Sequence, residues 1–228
     1  MDPAKVQLSG EEIALAKNAE LILTKNSIIR RVVEGFAALS EEYKVIWGDG
    51  LPVAARSLGR DGIEGREDGR DGTEAREDLR GGNAKISKGE NYQGLPYVVL
   101  DYPRIFGKED VLAIRTMFWW GHYFSVTLHL KGRYREAALP AVRAALPRLA
   151  EAGFLLAVGE DEWRHELAAD NYQRIGELGA AAIDEILTGH PFLKLSAHCA
   201  LDNWNEAPEI LLGLFRVLAE VLRSGAAD

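Results

Sequence analysis

Between Lys85 and Lys131 the chain carries three apolar runs rich in β-branched and aromatic residues: Tyr97–Tyr102, Val111–Trp120 and His122–Leu130. Such runs are strand-forming, and only Gly121 separates the last two, which predicts a tight hairpin. A sheet exposes two faces and must cover at least one of them. The rest of the chain supplies helical patterns for that purpose. The expected fold is a single α+β domain over residues 1–228, with a mainly antiparallel sheet of four to five strands covered by N-terminal and C-terminal helices.

Period-two alternation assigns the faces. Phe124, Val126, Leu128 and Leu130 form a core face, and Tyr123, Ser125, Thr127 and His129 form the opposite one. On the preceding strand Arg115 shares a face with Ala113, Met117 and Trp119. An arginine among apolar neighbours must pair or reach water. Asp101 is the expected partner, with a ligand-binding arginine as the other reading. Phe192–Cys199 alternates again, setting Lys194, Ser196 and His198 against Leu193, Leu195, Ala197 and Cys199.

The helices follow from capping signals and 3.6-residue periodicity. Ser9 and Glu12 form a capping-box pattern before a stripe of Leu15, Ala19, Ile22, Ile29, Val33 and Phe36. This predicts helix over about 10–46, divided near Thr24–Ser27. A second helix is expected over about 134–152, kinked or broken by Pro140 and Pro147. Asp170 and Gln173 resemble another capping box, predicting helix to Leu187, and Glu206–Arg223 closes the chain as an amphipathic helix. Residues 59–68 (GRDGIEGRED) return almost unchanged at 69–78. This glycine-rich, charged repeat is too poor in apolar side chains to fold, so about 57–82 reads as a flexible low-complexity insertion.

Composition narrows the function classes. A net charge of −8 argues against nucleic-acid binding, and no apolar run approaches a membrane span. One cysteine, Cys199, excludes an internal disulfide, and the start of the chain lacks a secretory layout. The expected location is cytoplasmic. Residues 83–131 hold six Lys/Arg against four Asp/Glu, an excess compatible with a small anionic ligand.

No phosphate loop, zinc spacing, calcium loop or serine elbow occurs, so no cofactor and no metal are expected. Lys88, Asn91, Tyr92, Arg104, Arg115, Trp119, Trp120 and His122 are the candidate ligand-binding residues. They would form an aromatic, cationic pocket beneath a loop at 85–96. The alternative is that the aromatic end plugs the core or makes a homodimer contact. His165, beside Glu166, is expected to have a raised pKa. The leading functional expectation is a non-catalytic binding or protein-interaction module using the 85–96 loop and the 119–122 hairpin end. The alternative is a cofactor-independent enzyme, such as a hydrolase, using His129 or His198 with nearby Ser and Thr.

Overall fold

The computed structural model describes residues 7–48 and 83–224. The insertion expected at 57–82 lies outside them. Helices α1 (Gly10–Lys17) and α2 (Ala19–Trp47) lead into a meander of β1 (Lys85–Tyr92), β2 (Leu95–Phe106), β3 (Val111–Trp119) and β4 (Tyr123–Lys131). Then come α3 (Arg133–Glu151), the short strands β5 (Leu155–Ala157) and β6 (Tyr172–Arg174), α4 (Ala180–Gly189), β7 (Phe192–Ala200) and α5 (Ala207–Ser224). All pairings are antiparallel, in one sheet of order β1-β2-β3-β4-β7-β5-β6.

The α+β class stands, but the sheet has seven strands rather than four to five. One addition is β1: the segment expected to be a loop over a site pairs with β2 from Lys85↔Asp101 to Gly89↔Tyr97. Its polar composition hid it, since an edge strand needs one ladder and tolerates charge on its open side. The other addition is β6, whereas β5 answers the short buried strand expected over Phe154–Val158. The helix expected from Asp170 is β6 followed by a 3-10 turn at Ile175–Glu177, and α4 begins only at Ala180. A four-residue spacing resembling a cap does not make a helix without a packed stripe behind it.

The remaining boundaries shift for local reasons. Asn18 separates α1 from α2 and its side chain accepts from the Leu21 amide, so the break falls before Thr24–Ser27. β2 runs through both Pro96 and Pro103, and Pro103, which has no N–H to give, sits where the β2–β3 register shifts between Asp101 and Arg104. Pro140 and Pro147 lie inside the uninterrupted helix α3.

One face of the sheet meets α2, α3 and α5. Phe36 and Trp47 of α2, Val142 and Leu149 of α3, and Leu211, Phe215 and Leu218 of α5 pack on Val98, Leu100, Ile114, Phe118, Val126, Leu128 and Leu195. Tyr43 stacks on Phe215 with ring centroids 3.8 Å apart, and its hydroxyl meets that of Thr116 at 3.0 Å. α2 buries its apolar stripe only from Ile29 onward, and α1 buries no residue. Among the described residues no helix is long and apolar enough to cross a membrane.

Candidate functional site: the polar face and its strap

The other face carries the chemistry. Register places His129 opposite Lys194, Thr127 opposite Ser196 and Ser125 opposite His198, so the two polar strand faces expected from alternation are adjacent. Asp101 stands opposite Arg115 in the next pair of strands and Arg115 opposite Thr127. The resulting row of charge and hydroxyl crosses the middle of the sheet. It is not open: Asp101, Ser125, Thr127, His129, Lys194 and Ser196 are all buried.

What buries it is the connection between β5 and β6. Residues 158–171 contain no helix or strand and lie across the polar face as a strap. Such a segment satisfies only part of its own backbone, and the sheet answers more of it with side chains. The Lys194 ammonium donates to the carbonyls of Glu162 (2.9 Å) and Arg164 (2.6 Å). The Tyr92 hydroxyl accepts from the amides of His165 (2.7 Å) and Glu166 (3.2 Å) and donates to Glu166 Oε2 (2.6 Å). The Tyr123 hydroxyl accepts from the Leu167 amide at 2.9 Å.

Charge is paired in the same economical way. Arg115 binds Asp101 through two parallel hydrogen bonds, Nε to Oδ1 at 2.7 Å and Nη2 to Oδ2 at 2.9 Å, the expected pair. Its Nη1 donates to His165 Nε2 at 2.9 Å. A guanidinium can only donate, so Nε2 accepts and the imidazole is neutral. Glu162 takes a hydrogen bond from Lys131 at 2.9 Å, and its second oxygen stands 3.3 Å from His129 Nε2 without hydrogen-bond alignment. Thr127 and Ser196 hydroxyls meet at 2.8 Å.

Burial dominates the electrostatics. His129 is pushed down to about 4 by burial and then by the Lys194 charge, with Glu162 opposing. His165 falls well below the ordinary imidazole range, first through burial and then through the charges of Lys194 and Arg115. This corrects the expected rise: Glu166 is its neighbour in sequence, but cations surround it in space. Lys194 is lowered to about 8 by burial and then by Arg115. Tyr92 is raised to about 12 by burial and by its bond to Glu166.

The eight candidate binding residues do not converge. Tyr92, Arg115, Trp119 and His122 lie on the strap side. Trp119 is buried, its indole N–H donates to the Tyr92 carbonyl at 3.2 Å, and it stacks on His122 at 3.6 Å. With Val99, Met117, Tyr97 and Tyr123 it forms a satellite core. Trp120 packs on the helix side, against Phe118. Lys88 shares that side, opposite Val98, and Asn91 spends its side-chain oxygen on the Gly94 amide. Arg104 stands opposite Ala113, away from the aromatic end.

The arrangement holds the parts of acid–base chemistry, and of these Lys194 and His165 are bonded within the fold. Lys194 directs its donors to two carbonyls and faces the Tyr172 ring at 5.6 Å. His129 lies beneath Glu162 and Trp163, whose ring stands 5.5 Å from it. His198 is exposed beside Tyr123. No three His, Cys, Asp or Glu side chains among the described residues are grouped to hold a metal. The role of Tyr123 and Glu162 as strap anchors left no mark in sequence, whereas the lysine that heads the polar face of Phe192–Cys199 was a visible signal. The chain matches no protein-family model, no curated protein and no solved structure.

Proposed function

We propose that the chain is a non-catalytic protein-interaction module that docks through the arm formed by α1 and the first turns of α2, beside the open edge of β1. The observation that carries this reading is the arm's exposure. Leu8, Ile13, Leu15, Leu21, Ile22 and Leu23 are 41–68% exposed, six large apolar side chains within one short stretch. Isolated exposed leucines are ordinary, but six large apolar side chains left uncovered so close together along the chain support an interaction surface. The ion pair from Lys25 to Glu90 fastens the arm's base to β1, so helix and strand edge form one surface. This retains the 85–92 segment as part of the docking surface and replaces the hairpin end by the arm.

The enzyme reading has less support, because its histidine at position 129 and the hydroxyls beside it lie under the strap. An anionic ligand likewise loses support, since Arg115 is taken by Asp101 and Lys194 by the strap. The test is a photoactivatable residue placed at Leu23 or, separately, at His198. Capture of a protein from position 23 and not from position 198 is the expected result. Equal capture from both positions, or none from 23, defeats the reading.

A further inference from the structure

We infer that the occupant of the arm is the arm of a second copy, packed antiparallel about a two-fold axis near Leu21 and Ile22; this rests on the docking reading above. A two-fold interface uses the same patch twice, so the patch must be complementary to itself. This one is. Glu11 and Glu12 lie at its start and Arg30 and Arg31 at its end, at nearly equal chain distances from Ile22. Neither arginine forms an ion pair with a described residue. Reversing one arm on another therefore sets acid against base at both ends and Leu21 and Ile22 against each other in the middle. Each chain carries a net charge of −8, yet residues 8–31 hold three acids and four bases, so the arms meet without mutual repulsion.

The base of the arm is shaped for the same partner. A groove of about 70 Å³ opens between α2 and α5, lined by Arg31, Val32, Gly35, Phe36, Trp204 and Leu211 among others. Leu21, Ile28 and Gly35 recur at heptad spacing and so run down one side of α2 towards it. Gly35 is exposed in mid-helix, where alanine would be favoured, and a Cβ there would meet no atom within 4 Å. No described residue of the protomer asks for glycine at that position, whereas an approaching helix does. Antiparallel arms bring Glu11 of the second copy to Arg31, while Glu12 keeps its capping bond to the Ser9 amide, with Leu8 and Ile13 beside the groove.

The test is sedimentation equilibrium of the purified full chain across a concentration series. Wild type is expected to dimerise, and Arg31→Glu and Glu11→Lys each to weaken the dimer about tenfold. An equimolar mixture of the two variants restores association, because each reversed charge then meets its opposite. Gly35→Gln is expected to keep or raise helicity by circular dichroism while weakening the dimer. A wild type that stays monomeric at every concentration overturns the inference, as does a mixture no tighter than its components. The docking reading itself would survive those results if position 23 captured a different protein, and would fall with the inference if it captured none.

Discussion

The two faces of the sheet are covered by opposite strategies. On one, three helices bring side chains that need no partner, and the fit of Phe215, Phe36 and Leu128 is what matters. On the other, a strap with no regular structure brings unsatisfied backbone, and Lys194, Tyr92 and Tyr123 answer it bond by bond. The first face is forgiving in direction and intolerant of lost volume. The second tolerates volume changes but not the loss of one member of a pair. A polar sheet face is thus no sign of solvent or substrate: here it is a second core, held by hydrogen bonds.

The sharpest way to break this contrast sets one residue from each face side by side in chemical denaturation. Phe215→Ala should cost about 4 kcal/mol through the cavity it leaves. Arg115→Met should cost a similar ~4 kcal/mol, because Asp101 is left buried and unpaired. The faces then part company: Asp101→Leu combined with Arg115→Met should recover most of that loss, while no second substitution of like kind rescues the cavity. If the double variant is as unstable as the single one, the polar face is not held by pairing.

Acid should distinguish the faces next. His129 has its folded pKa depressed to about 4 from an ordinary 6.5, and His165 is depressed as well. Unfolded imidazoles therefore take up protons first as pH falls. The stability that these groups contribute is complete above about 6.5 and drains away towards 4, roughly 3 kcal/mol for His129 alone. Stability measured across that window should fall, and less steeply in His129→Phe. An unchanged slope in that variant would remove His129 from the account. The smallest effect is expected for Tyr123→Phe, which deprives only the Leu167 amide of its acceptor and should cost about 1–2 kcal/mol. A loss below ~0.3 kcal/mol would mean that water replaces the phenol there.

The helix-covered face was legible in the sequence because alternation and 3.6-residue stripes record which side meets a core. Phe124, Val126, Leu128 and Leu130 point where the pattern puts them, and the Arg115–Asp101 pair followed from the cost of an isolated charge. The strap was not legible. Its bonds run from backbone groups to side chains on distant strands, such as Tyr92 to His165, and backbone groups have no letter in the sequence. The His165 pKa was misread for the same reason: its sequence neighbours are not its spatial ones. Residues 85–92 were mistaken for a loop because this edge strand is polar and glycine-bearing, with Ile86 as its one aliphatic side chain on the core. The arm hid within the stripe from Leu15 to Phe36, and only the packing reveals that the body ends beneath Ile29.

The strap also has a neck. The amides of Val158 and Gly159 both donate to the Asn171 carbonyl, at 2.9 and 3.2 Å, where the chain enters and leaves it. A Cβ on Gly159 would come within 2.7 Å of the Asn171 side chain, so the pinch depends on glycine. Its ends are thus tied to each other independently of what lies beneath, as in a compact surface loop. The β5–β6 ladder joins the same two ends, from Leu155↔Arg174 to Ala157↔Tyr172. Evolution could rewrite the strap residues that make no bond to the sheet without touching the strand order, which makes this the place where the fold is freest to acquire new chemistry.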